Sequence, residues 1–275
     1  MPLPIRNSRL SLSQGQIFWR ELGRGTVLVF LHNSWSDGSE WIRVIEQLGH
    51  DFHCFVPDLL GFGESDRPRV HYSIEFEVEC LANYLDSLKL RQVYLIGQGV
   101  GGWVAASYAL RYPHQVEGLV LLGAEGLPVR GRAHQRWWWL THSPLVVWLL
   151  RPLAGISERS LSPLARLLGQ TDCIQQWLQE VRLLKQYPAA CQLLFNRRKA
   201  EIQAEYVHDR LSWLKVPLLL LQGEDDERAI ALLNQGYANA PYAMVHQHPG
   251  ANLVHTAPEV VADEVRSFVK GHRPL

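Results

Sequence analysis

Neither sign of charge is in surplus in this chain: Lys and Arg together number 27, and so do Asp and Glu. A domain that grips nucleic acid normally carries a basic excess, so nucleic acid is not expected as a partner. Cysteine is scarce as well. Cys54, Cys80, Cys173 and Cys191 are widely scattered, no pair has metal-ligand spacing, and no disulfide framework is expected. No metal and no cofactor are called for. Long apolar runs are missing too: a bilayer span needs about 20 apolar residues, and the nearest candidate, 144–150, is far too short. The first residues lack the apolar core of a secretory signal. Together these shortages predict a reduced, cytoplasmic setting. The one basic run, Arg197-Arg198-Lys199, stands beside Glu201 and Glu205 and reads as a solvated helix face.

What is present is an ordinary globular composition, 47% hydrophobic and 20% charged over 275 residues, enough for one large core or one domain with an insertion. Short apolar runs recur, each closed by a turn signal: 26–31, 52–56, 93–96, 118–122, 217–221 and 243–246. Continuous Val, Ile and Leu runs mark strands covered on both faces. Helical stretches at 73–88 and 100–111 lie between them, and a hairpin over roughly residues 10–20 precedes them. Strand alternating with helix predicts an α/β fold with a mostly parallel sheet. The alternation breaks over residues 127–214, a helical stretch punctuated by Pro and Gly. The expected organisation is therefore a core of residues 1–126 and 215–275, with 127–214 as a cap over the carboxyl ends of the strands, where such sheets bind ligands. Trp137, Trp138, Trp139 and Trp148 place four of the ten tryptophans within twelve consecutive residues of this cap. They serve cap-to-core packing, an apolar ligand pocket, or a membrane or partner contact.

A strand–turn–helix stretch, Val93 to Tyr108, has the layout of a nucleophile elbow. That motif, G-x-S-x-G, exposes a serine on a strained turn. Here the frame is Gly97-Gln98-Gly99-Val100-Gly101, with glycine in the serine's place. Upstream stand His32-Asn33-Ser34 after a strand and Pro57-Asp58-Leu59-Leu60-Gly61-Phe62-Gly63-Glu64-Ser65. Downstream stand Gly223-Glu224-Asp225-Asp226 and Gly250-Ala251-Asn252-Leu253-Val254-His255, followed by Pro258-Glu259.

In this order the motifs resemble the α/β-hydrolase superfamily over nearly the whole chain, above all its small esterase and C–C hydrolase branch with a helical cap. The resemblance implies a triad of which one member remains. Gly99 stands at the nucleophile position and Asp226, with Asp225 as the alternative, at the acid position. Asn252, or Ala251 in the other alignment, stands at the histidine position. Oxyanion-type N–H groups would come from Ser34 and Val100, and Asn33 stands where relatives usually carry glycine. His32, Asn33, Gln98, Trp137, Trp138, Trp139 and His255 are candidates for the pocket. Serine and histidine act as a unit in such a triad, so the expected protein is a non-catalytic relative that binds a small apolar molecule or a protein partner. The alternative is an ester or C–C bond hydrolase in which a water in the space vacated at Gly99 is activated by His255 or His248, with His246 the third histidine nearby.

Overall fold

The computed structural model describes residues 3–128, 186–194 and 196–272. Eight strands form one sheet in the order β1-β2-β4-β3-β5-β6-β7-β8. The strands are β1 Arg6–Leu12, β2 Gly15–Gly23, β3 Val27–Leu31, β4 His53–Pro57, β5 Val93–Gln98, β6 Val116–Leu122, β7 Leu218–Gly223 and β8 Ala243–His248. β1 and β2 form the expected hairpin, and β2 also runs antiparallel to β4. All other pairings are parallel.

The apolar runs form inner strands because both of their faces are buried. Alternate side chains go to opposite faces of a pleated strand, and here they fall into two separate cores. Val29 and Leu31, Val93 and Leu95, Leu119 and Leu121, and Leu218 and Leu220 pack into one. Leu28 and Phe30, Tyr94 and Ile96, Val120 and Leu122, and Leu219 and Leu221 pack into the other. The first core is covered by α2 (Ile74–Ser87) and α3 (Val100–Arg111), and the second by α1 (Ile42–Leu48) and the last helix, Pro258–Gly271. Full burial of each such side chain contributes about 1.5–3 kcal/mol, which is why the stretches 28–31, 93–96, 119–122 and 218–221 carry no polar residue.

Local signals set the helix ends. Ser73 caps α2, its hydroxyl accepting from Phe76 N at 3.0 Å, and Pro258 opens the last helix at a position that needs no N–H donor. The Pro57–Ser65 loop is organised by one buried carboxylate. Asp58 accepts from Arg20 Nη1 at 2.9 Å, from Gly38 N at 2.8 Å and from Glu64 N at 2.8 Å. A buried carboxylate is tolerated only when paired and hydrogen-bonded, and Asp58 is both.

Between β6 and β7 the described chain includes α4 (Pro188–Leu194) and α5 (Lys199–Ala204). Trp137, Trp138, Trp139 and Trp148, and most of segment 127–214, lie outside the described residues. The return of the excursion is bonded to the core: Val207 N donates to Gly126 O at 2.9 Å, and Trp103 Nε1 to Glu205 O at 3.2 Å. Here the reading of Arg197 as part of a solvated face is corrected. Its side chain is 1% exposed and bridges Glu205 Oε2 at 2.6 Å and Leu193 O at 3.0 Å. Glu205 Oε1 meanwhile accepts from Ile74 N at 3.1 Å, at the start of α2. The neighbouring acid drew the cation inward, because a carboxylate at a helix N-terminus is itself favoured. Among the described residues no helix is long and apolar enough to cross a membrane, and no group of three or more side chains is arranged to hold a metal.

Two buried carboxyls give the fold a pH dependence. Burial pushes Glu77 up to about 8 against a backbone contact at Leu60, and Glu40 up to about 7 against a hydrogen bond from Asn33. A group raised in the folded state stabilises the fold below its unfolded value, near 4.5 for both, and loses that contribution as pH rises through the folded value. Stability is therefore expected to fall as pH rises from about 4.5 to about 8, between the unfolded and the folded values of these groups. Glu77→Gln should flatten that fall in urea unfolding; a slope equal to the parent's would refute the assignment.

Candidate functional site

The elbow is built from backbone in close contact. Gly99 joins β5 to α3 with φ 54° and ψ −121°, a conformation that costs a residue with a side chain on the order of 1–3 kcal/mol and glycine little. Its carbonyl accepts from Trp103 N at 3.1 Å and Glu125 N at 3.0 Å. Gly101 N donates to His32 O at 3.1 Å, and a Cβ on Gly101 would meet Leu31 O at 2.4 Å. The start of α3 is thus pressed against the end of β3, and the glycines of the motif are what permit it.

The loop after β3 fills the space beside Gly99. A Cβ built on Gly99 would lie 2.0 Å from Asn33 Oδ1. That same oxygen accepts from Ser34 N at 2.7 Å, while Asn33 N donates to Glu40 Oε1 at 2.8 Å. The Ser34 amide, expected as a free oxyanion-type donor, is therefore bound to the neighbouring carboxamide. Val100 opens α3, and its N–H is one of the first-turn donors without a partner inside the helix.

His32 is fully buried, and both ring nitrogens are bonded. Leu59 N donates to Nε2 at 3.0 Å, so Nε2 is an acceptor and the proton sits on Nδ1, 2.8 Å from Asn33 O. Burial pulls its pKa down, against the attraction of Asp58. It is a neutral brace between two loops.

The residues expected at the acid and histidine positions stand together. Asp226 accepts from Gly223 N at 2.8 Å and from Asn252 N at 2.9 Å. Asn252 is left-handed, at φ 51° and ψ 60°, and its Oδ1 accepts from Gln98 Nε2 at 3.2 Å. Gln98 is adjacent to Gly99, so these three side chains lie around the elbow. The remaining histidines do not join them. His246 and His248, on β8, each bond one oxygen of Glu264 at 2.8 Å. His255 is exposed on a short helix, Leu253–Thr256, and its carbonyl accepts from Arg43 Nη1 at 3.1 Å. Trp137, Trp138 and Trp139 are outside the described residues. Other rings stand near the site: Trp35 and Phe62 pack on Tyr187, and Trp103 on Tyr206.

One residue went unnoticed in the sequence. Glu125 follows β6, and its Oε1 accepts from Ser34 Oγ at 3.0 Å. Its backbone is fixed twice, by its N–H to Gly99 O and by Tyr237 Oη donating to its carbonyl at 2.6 Å. Burial pushes the carboxyl up to about 7, opposed by the Ser34 hydrogen bond. The available signal was an acid between Gly123 and Gly126 at the carboxyl end of an inner strand.

Residues 26–231 match the family model described as alpha/beta hydrolase fold. The chain is similar to a 2-hydroxy-6-oxo-2,4-heptadienoate hydrolase of Pseudomonas putida, 37% identical over 111 residues, which are 39% of this chain and 40% of that protein. The chain thus spans two fifths of that relative's length. A cis-3-alkyl-4-alkyloxetan-2-one decarboxylase of Shewanella oneidensis is 24% identical over 283 residues, covering 98% of this chain and 88% of the relative. In three dimensions the chain resembles haloalkane dehalogenase DbeA from Bradyrhizobium elkani, with a TM-score of 0.73, 21% identity and 98% of each chain covered. At that identity the likeness concerns the fold alone.

The Asn33–Gly99 contact makes a stability prediction. Gly99→Ser should destabilise the protein by on the order of 1–3 kcal/mol from backbone strain, and further by displacing the Asn33 carboxamide from Ser34 N. In an Asn33→Gly background the same change should cost less. Additive costs in a double-mutant cycle would show that the two positions do not interact.

Proposed function

The chain belongs to the α/β-hydrolase fold family, and from that premise we propose that it binds a small apolar ligand without hydrolysing it. The observation that carries this reading is Asn33. Its carboxamide stands where a nucleophile's Cβ would need to be and already occupies the Ser34 N–H. On this reading Gly99, Asp226 and Asn252 are the nucleophile, acid and histidine positions of a triad that no longer operates. Asp226 is then a structural acceptor for two backbone amides, and Ser34 and Val100 are what is left of an oxyanion hole.

The ligand would lie between the elbow and a cap formed by residues 127–214. Trp35, Phe62 and Tyr187 would form one wall and Trp137, Trp138 and Trp139 another, with Gln98 at the rim. The relatives' names point to small oxygenated hydrocarbons as the ligand class: a hydroxy-oxo-heptadienoate in one case, a dialkyl oxetanone in the other. The reduced, cytoplasmic setting inferred from the cysteines belongs to the same proposal. Hydrolysis by a water activated at His248 or His255 has less support, since His248 is bound to Glu264 and His255 faces solvent.

Purified protein assayed against short-chain aryl esters is expected to show no turnover above background. Turnover that disappears on substituting a pocket residue would defeat the proposal. Reconstruction gives the complementary result. Gly99→Ser with Asn252→His alone should remain inactive, because Asn33 still blocks the site. Adding Asn33→Gly should bring weak esterase activity, since nucleophile, base and oxyanion donors are then all present.

A further inference from the structure

The carboxyl ends of three neighbouring strands converge on one buried acid. Ser34 follows β3, Gly99 follows β5 and Glu125 follows β6, at the edge of the sheet where α/β folds take their ligands. Ser34 is fully buried and donates its hydroxyl to Glu125 Oε1 at 3.0 Å. Oε2, buried as well, has no hydrogen-bond partner among the described residues. The group is held rigidly. Its N–H bonds Gly99 O at 3.0 Å, its carbonyl accepts from Tyr237, and Ser34 fixes one oxygen. An unpaired buried polar atom costs free energy that a ligand can recover, and an orientation fixed in advance lowers the cost of binding.

We propose that Glu125 is the polar anchor of the ligand site, its Oε2 donating a hydrogen bond to the carbonyl oxygen of an otherwise apolar ketone, ester or lactone. This rests on the ligand-binding reading above. A neutral carboxyl has one proton to donate, and Ser34, already donating to Oε1, leaves that proton for Oε2. Among the described residues, the groups that interact with it are uncharged: Ser34, and the phenols of Tyr206 and Tyr237, both of which the acid pushes upward in addition to burial. With no cation among them to favour the ionised form, burial decides, and the carboxyl titrates near 7. The paired rings of Trp103 and Tyr206 supply apolar surface next to it.

The test uses the full chain and three matched probes, 2-decanone, decane and decylamine, with tryptophan fluorescence as the readout. At about pH 6 the ketone is expected to bind roughly three- to tenfold more tightly than the hydrocarbon, the yield of one added hydrogen bond. That preference should vanish by about pH 9, once the acid has ionised. Glu125→Gln, whose amide donates at any pH, should keep the preference at both. Glu125→Leu should bind decane and lose the preference. Equal binding of ketone and hydrocarbon by the parent, a preference that survives Glu125→Leu, or an amine favoured over the ketone already at about pH 6, where the acid should carry no charge, would each overturn the assignment and leave the ligand-binding reading standing. If none of the three probes binds, both fall.

Discussion

The arrangement at the top of the sheet depends on one close approach, that of the start of α3 against the end of β3. Gly101 lies under the carbonyl of Leu31, its N–H bonds His32 O, and Gly99 turns through a conformation that side chains resist. Once these segments touch, the loop after β3 has a single place to go. Asn33 then lies against the elbow, and the space a reacting side chain would occupy is taken by an amide. The elbow geometry is here retained together with a side chain that crowds it.

Electrostatics reinforce that packing. Asn33 and Ser34 are gripped by two buried acids, Glu40 through a backbone N–H and Glu125 through a hydroxyl. Both acids are displaced toward neutrality by burial, so the loop is held by hydrogen bonds to groups whose charge is suppressed. His32 is handled in the same way, as a neutral ring bonded at both nitrogens. Asp58, by contrast, is paired with Arg20, and backbone amides satisfy its remaining lone pairs. Burial without a cation neutralises a carboxyl, whereas burial beside one permits ionisation.

These distinctions explain what was legible in the sequence. The inner strands were, because continuous apolar runs occur only where both faces are covered, and their observed limits differ from the apolar runs by one or two residues. The elbow was legible from glycine spacing, whereas the grouping of Asp226 and Asn252 near Gly99 was implied only by the resemblance in motif order. The Asn33–Gly99 contact was not, since it joins positions far apart in sequence and no periodicity encodes it. Glu125 carried no spacing signature, and its meaning comes from Ser34 across the sheet edge. Arg197 was misread for a related reason: a basic run next to acids describes a solvated face equally well, and only the packing of Glu205 on the start of α2 draws the cation inside.

The bond from Val207 N to Gly126 O has a consequence for how such a molecule diversifies. It clasps the chain just after it leaves β6 to a point on its way back to β7, beside the bonds that tie Glu205 to Trp103 and to the start of α2, so the two ends of the excursion are fixed to each other. The entropy of closing such a loop grows only logarithmically, by about 0.6 kcal/mol for each doubling of its length. A change in the length of chain between those anchors therefore costs the eight strands beneath it little.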